Sequence, residues 1–254
     1  MSISIDRDGD TKIEEKLMPA LPSTRRRFLQ YTSVASAAVL VPAISFANPQ
    51  KPPSAEKTRD AEEISPAEDL MREHGVLNRI LLIYDHHLHM LTTKQTFDGS
   101  VLVRAADIVR HFVEEYHEKL EEDFLFPRFR KAGKLVNLVD TLLAQHKAGR
   151  TLTAKIRELA GVATLKYVSD TDKLADALRA FLHMYRPHEA REDTVLFPAF
   201  RSIVSPHEYY ALGDDFEKKE DELFGDEGFF KMVDQVAELE KKLGIYDLAQ
   251  FTPK

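Results

Sequence analysis

The sequence predicts an all-α protein: an antiparallel four-helix bundle with two additional C-terminal helices. Three observations carry this. Between residues 65 and 204, apolar residues recur in four runs at alternating spacings of three and four, the period of a helix burying one face. The runs are joined by short turn-forming stretches, and short loops specify antiparallel neighbours. Residues 117–130 (HEKLEEDFLFPRFR) recur as residues 188–201 (HEAREDTVLFPAFR), identical at eight of fourteen positions, so the bundle reads as two related hairpins.

The first predicted helix opens at Ser65-Pro66-Ala67-Glu68, with Ser as N-cap, Pro at the first helical position and Glu closing a capping box. Leu70, His74, Leu77, Leu81, Tyr84, Leu88 and Leu91 form its seam. A loop from Thr92 to Ser100 contains the turn signal Asp98-Gly99. The second helix carries Leu102, Ala106, Val109, Val113, His117, Leu120 and Phe124, and is expected to end near Pro127. The third, from about Leu135 to Ala160, places Val139, Leu142, His146, Gly149, Thr153 and Ile156 on its seam. Gly161 and the cluster Ser169-Asp170-Thr171-Asp172 mark the next turn and cap. The fourth reads Leu174, Leu178, Phe181, Tyr185, His188, Glu192 and Val195, with Pro187 expected to kink or bulge it beside His188. A second capping box, Ser205-Pro206-His207-Glu208, opens a fifth helix ending near Gly225, and a sixth runs from about Phe229 to Leu243. These two carry no ligand-like spacing and are expected to brace the bundle.

Composition bounds the chemistry. At 254 residues the chain can hold one large domain or two small ones. A formal net charge of −7 gives no electrostatic reason to expect nucleic acid or an anionic membrane as partner. There is no Cys, which excludes disulfides, thiolate metal sites, Fe–S clusters and Cys-linked haem. Any metal must be held by His and carboxylate, a donor set that suits iron, manganese or zinc.

Residues 1–47 resemble a twin-arginine export signal. A polar leader runs into Arg25-Arg26-Arg27-Phe28-Leu29, then an apolar run from Tyr31 to Ile44 and a small-x-small cleavage site, Ser45-Phe46-Ala47. The apolar run is shorter than the ~17–25 residues of a membrane-spanning helix. An ordinary secretion signal or an uncleaved anchor is the alternative. Cleavage after Ala47 leaves no transmembrane anchor, so the expected location is the periplasm. Residues 48–64, with Pro49, Pro52 and Pro53, read as a disordered linker. The expected organisation is therefore a signal at 1–47, a linker at 48–64, the bundle at 65–204 and a helical extension at 205–254.

Each copy of the repeat places a Glu four residues after a His, so both side chains share one helix face. A lone His precedes each copy: His74 before the first and His146 before the second. A single His on an apolar face is ordinarily a hydrogen-bonded core residue. The set argues otherwise. His74, His117, His146 and His188 fall on seams, one per helix, beside Glu121 and Glu192, and no Lys or Arg shares those seams. Burying such groups costs several kcal/mol per ion unless a partner is supplied. A metal cation supplies it. In Asp85-His86-His87-Leu88-His89 none of the His falls on the seam, and they are expected to be exposed, as are His111, His183 and His207.

The order and spacing of these residues, with Leu-Phe-Pro repeated at 125–127 and 196–198, resemble the haemerythrin-like HHE cation-binding domain over about residues 66–201. The resemblance implies a non-haem di-iron centre in a four-helix bundle, with ligands His74, His117, Glu121, His146, His188 and Glu192. Glu118 and Glu189 lie ~100° round the helix from their His, where salt bridging is the expected role. Tyr185 is expected either to pack in the core or to line the ligand pocket. The oxygen-carrying haemerythrins have a second His four residues beyond the one on the third helix, and an Asp five beyond the one on the fourth. Here these features are Arg150 and a Glu at four, Glu192. The donor set is richer in carboxylate, which weakens the case for reversible oxygen carriage. The resemblance leaves binding of, or reaction with, a small ligand such as oxygen, nitric oxide or peroxide. Iron storage, a metal-dependent redox scavenging enzyme and, last, a metal-free polar network stand as alternatives. Whether the chain is an enzyme, its electron partner and its oligomeric state stay open at this level.

Overall fold

The computed structural model describes residues 64–161 and 168–253; the export signal and nearly all of the linker read from the sequence lie outside them. Among the described residues the chain is all-helical, with no strand. The order is α1 (Pro66–Thr92), α2 (residues 99–132), α3 (Val136–Gly161), α4 (residues 168–200), α5 (Pro206–Phe224), α6 (Gly228–Leu243) and a 3-10 turn, Leu248–Phe251.

Local chemistry sets most helix ends. Ser65 Oγ accepts from the Glu68 N–H above Pro66, and Ser205 Oγ does the same for Glu208. Gly133, Gly225 and Gly244, all at positive φ, follow α2, α5 and α6, as expected where a chain leaves a helix through a conformation that favours glycine. Asp98-Gly99 closes the loop: Asp98 is the N-cap, accepting from the Ser100 N–H, and α2 begins at Gly99. Likewise Ser169–Asp172 lie within the first turn of α4, which begins at Val168.

The sequence expectation fails at Pro127. The second helix does not stop there but continues to Ala132. Before each Leu-Phe-Pro the chain changes to π-helical bonding, over Glu121–Leu125 and Glu192–Leu196, and the N–H groups of Phe126 and Phe197 reach back to the carbonyls of Glu121 and Glu192. A Pro inside an α-helix loses a hydrogen bond and strikes the carbonyl four residues back. The wider turn relieves both, because Pro127 and Pro198 then open new α-helical segments. A further π-helical stretch, Val109–His117, precedes the first repeat. In α4 the widening is not at Pro187: the helix stays α-helical through it to Arg191.

α4 packs against α1 and α3, and α2 packs against the same two. Leu77, Leu81, Tyr84, Leu102, Phe112, Leu142, Ile156, Leu178 and Phe181 fill the space between them, each contributing about 1.5–3 kcal/mol if an aliphatic or Phe side chain. α5 and α6 pack on α1 and α2. Phe224 sets its ring 5.7 Å from Phe112 and 5.5 Å from Tyr116, and Arg79 Nε donates to Glu240 Oε1 at 3.0 Å.

Candidate metal centre

The helical seams bring all six sequence-predicted residues together. His74 comes from α1, His117 and Glu121 from α2, His146 from α3, and His188 and Glu192 from α4; all are buried, with Glu121, Glu192 and His146 at 0% exposure. One donor atom each from His74, His117 and Glu121 lies within 4.8 Å of the other two, and the same holds for His146, His188 and Glu192. The two trios interlock. Glu192 Oε2 is 3.1 Å from His188 Nε2 in its own hairpin and 3.4 Å from His74 Nε2 in the other. Glu121 Oε2 is 3.3 Å from His146 Nε2, across the same divide. His74 and His117 face each other through Nε2 at 3.1 Å.

Every imidazole is oriented from behind. His74 Nδ1–H donates to Asp193 Oδ1 at 2.8 Å, His117 to Glu73 Oε2 at 2.7 Å, His146 to Glu122 Oε1 at 3.1 Å and His188 to Gln145 Oε1 at 2.9 Å. That leaves each Nε2 turned inward, the arrangement by which outer acceptors fix the tautomer of metal-ligating His. Phe126 stacks on His146 at 5.5 Å and Phe197 on His74 at 5.4 Å, so each Leu-Phe-Pro covers the lone His of the opposite hairpin. Inside, all four carboxylate oxygens of Glu121 and Glu192 are buried without a hydrogen bond. Two buried acids in that condition cost several kcal/mol each unless a cation meets them.

The electrostatics point the same way. Burial opposes a charged imidazole at His74, but Asp193 and Glu192 outweigh it and hold the group well above its ordinary range. His146 behaves alike: burial is overcome by Glu121 and Glu122, and its pKa rises to about 10. Burial and the neighbouring His74 push His117 down to about 4. Burial also works against ionised Glu192, yet His188 and His74 hold that carboxyl below its usual range. The cluster demands positive charge at its centre, and His Nε2 with carboxylate oxygen is a donor set for iron, manganese or zinc.

Around the centre the sequence was a partial guide. Glu118 salt-bridges as expected, with Arg150 Nη2 at 2.8 Å from its Oε2, and it also accepts from the Tyr185 hydroxyl at 2.9 Å. Glu189 instead accepts from the amide of Asn78, at 2.5 Å. Burial raises the two carboxyls, Glu118 to about 7 and Glu189 to about 8. Tyr185 is buried, with its ring 5.5 Å from His188. Gly149 makes room for it: a Cβ there would stand 2.1 Å from the Tyr185 hydroxyl. Arg150 also reaches Glu122 Oε1 at 2.6 Å, so its guanidinium serves two acids of α2 that flank the central Glu121. The expectation for His87 is corrected. It is buried, donating Nδ1–H to the Ile83 carbonyl at 2.8 Å with its ring edge-on to Phe97, while His89, His111, His183 and His207 are exposed.

Sequence reasoning missed the outer acceptors Glu73, Glu122, Gln145 and Asp193. A signal was present: Glu73 and Gln145 each precede a lone His, and Glu122 and Asp193 each follow a repeat Glu.

Comparison with known proteins gives the same picture. The family described as hemerythrin HHE cation binding domain matches residues 65–200 and, again, residues 137–244. The two matches begin one hairpin apart, as His74 and His146 do. Uncharacterized proteins of Mycobacterium bovis and of two Mycobacterium tuberculosis strains are each 40% identical over 240 residues, covering 94% of this chain and 94% of their own. No solved structure matches. The chain belongs to the haemerythrin HHE cation-binding domain family.

Proposed function

We propose that the chain holds two metal ions, iron by preference, between α1, α2, α3 and α4 arranged as an antiparallel four-helix bundle. His74, His117 and Glu121 would hold one ion and His146, His188 and Glu192 the other, each Glu lying also near an imidazole of the opposite trio. One observation carries the reading: four imidazoles held from behind at Nδ1 turn Nε2 onto four buried carboxylate oxygens that have no hydrogen bond. A di-iron pair supplies redox chemistry and a binding position for a small ligand such as oxygen, nitric oxide or peroxide. The surrounding side chains do the rest. Asp193, Glu73, Glu122 and Gln145 fix the imidazoles, the Phe126 and Phe197 rings shield the lone His residues from water, and Tyr185 and Arg150 steady Glu118.

Arg150 occupies the place of a His in the oxygen carriers, and its guanidinium is committed to Glu118 and Glu122. This favours reaction with the ligand, or holding of iron, over reversible carriage. The Arg25-Arg26-Arg27-Phe28-Leu29 stretch and the small-x-small site after it support export by the twin-arginine route to the periplasm. The deciding experiment is metal analysis with optical spectroscopy on the purified chain, before and after oxygen or peroxide meets the reduced form. About two irons per chain, with a near-ultraviolet absorption that bleaches on reduction, is the expected result. Zinc alone, or a folded chain with no metal and no spectral change, sinks the iron reading.

A further inference from the structure

The two halves of the centre correspond position by position, save for one outer acceptor. Each lone His is backed by a carboxylate: Asp193 behind His74 and Glu122 behind His146. The His of each repeat is backed by the residue that precedes the lone His of its own hairpin. For His117 this is the carboxylate of Glu73; for His188 it is the amide of Gln145. Both acceptors orient a ring, but only a carboxylate draws on the imidazole proton and makes Nε2 a stronger donor. Glu73 is only 2% exposed, and its other oxygen accepts from the Tyr116 hydroxyl at 3.0 Å, so it is held in place. The carboxylate left to the second half, Glu122, is engaged by both Arg150 and Lys119, cations that compete with His146 for its charge.

We infer that Glu73 and Gln145 make the two metal positions unequal: the His74–His117–Glu121 position binds its ion more tightly than the His146–His188–Glu192 position. This rests on the two-ion reading above. Glu73 and Gln145 act through His117 and His188, as positioning and tuning residues. Mutation of such an outer partner typically changes metal affinity ~10–100-fold, and the two binding steps are expected to be separated by a factor within that range.

The test is an anaerobic calorimetric titration of the metal-depleted chain with ferrous iron. Wild type is expected to bind in two resolved steps. Glu73→Gln weakens the tight step about tenfold and leaves the other nearly unmoved. Gln145→Glu strengthens the weak step by a comparable factor and draws the two together. Two steps of equal affinity in wild type overturn the inference while leaving the two-ion reading intact, as does either variant shifting both steps alike. Should Glu73→Gln fail to fold, the direction of the Gln145→Glu shift decides alone. Failure of wild type to bind a second ion overturns the two-ion reading and this inference together.

Discussion

The two hairpins, α1–α2 and α3–α4, are alike where they face the centre and unlike one layer behind it. His74 matches His146, His117 matches His188 and Glu121 matches Glu192. Both Leu-Phe-Pro segments follow a π-helical turn, and both Phe rings cover the opposite lone His. Behind them Glu73 stands against Gln145, Leu77 against Gly149, Asn78 against Arg150 and Glu114 against Tyr185. The difference teaches what each layer requires. A donor atom must have one chemistry at one place. The residue behind it need only offer an acceptor or fill a volume, and several side chains can do that.

Breaking the likeness at the centre should have the largest effect. Glu192→Ala removes the carboxylate that reaches both His188 and His74, and iron binding is expected to weaken by more than about 100-fold in both halves. In chelator-treated protein the same variant should melt lower than wild type, because His188 and His74, which hold the Glu192 carboxyl below its usual range, lose their buried counter-charge. Metal analysis and thermal melts check both. Unchanged metal content with only a shifted melt would reduce the whole correspondence to packing.

Next comes Gly149→Ala, which asks the second half to tolerate a side chain where the first has Leu77. The new Cβ would sit 2.1 Å from the Tyr185 hydroxyl, and overpacking of this kind costs about 1–3 kcal/mol in denaturant unfolding. Tyr185→Phe in the same chain should recover part of it. Arg150→Asn then gives the second half the first half's residue. It strips the guanidinium from Glu118 and Glu122, and a loss of about 1–2 kcal/mol is expected, since Arg150 is itself 30% exposed.

The smallest effect lies at His87, whose counterpart in α3 is Leu159. Burial lowers the His87 pKa, so the folded chain binds fewer protons there than the unfolded one. Its stability is fully present above the unfolded value near ~6.5 and is lost as pH falls from there through the lowered folded value. His87→Leu should flatten that part of the stability–pH curve, measured by urea melts between pH 5 and pH 8 as a roughly neutral bracket.

Much of this was legible in advance, for identifiable reasons. Ser65-Pro66, Ser205-Pro206 and the glycines after α5 and α6 act through bonds within a few residues, so the sequence displays them. The six central residues were legible because they repeat. Continuation of α2 past Pro127 was hidden, since it depends on a π-helical turn that no residue type announces. Burial of His87 was hidden for another reason. It lies off the seam that faces the other helices, and the loop residue Phe97, which the helical period does not describe, meets its ring. Arg150 reads in the sequence only as the residue in place of a His, and its ion pairs were hidden. Its long stem lets the guanidinium reach two acids of α2 from a position only partly covered.

The π-helical turn carries a consequence for how these segments can vary. In an α-helix residues five apart point in different directions; in a turn closed five residues back they come round beneath one another. Glu121 and Phe126 thereby share one phase and both meet His146, while Glu192 and Phe197 share one phase and both meet His74. Of the intervening residues Glu122 and Asp193 both keep a carboxylate, while Asp123-Phe124 and Thr194-Val195 differ freely, but their number does not. Wound as a plain α-helix at the same length, the Phe would stand about 140° round from its Glu and off the ring that its Glu touches. What this stretch transmits is a count, and its spelling is left open.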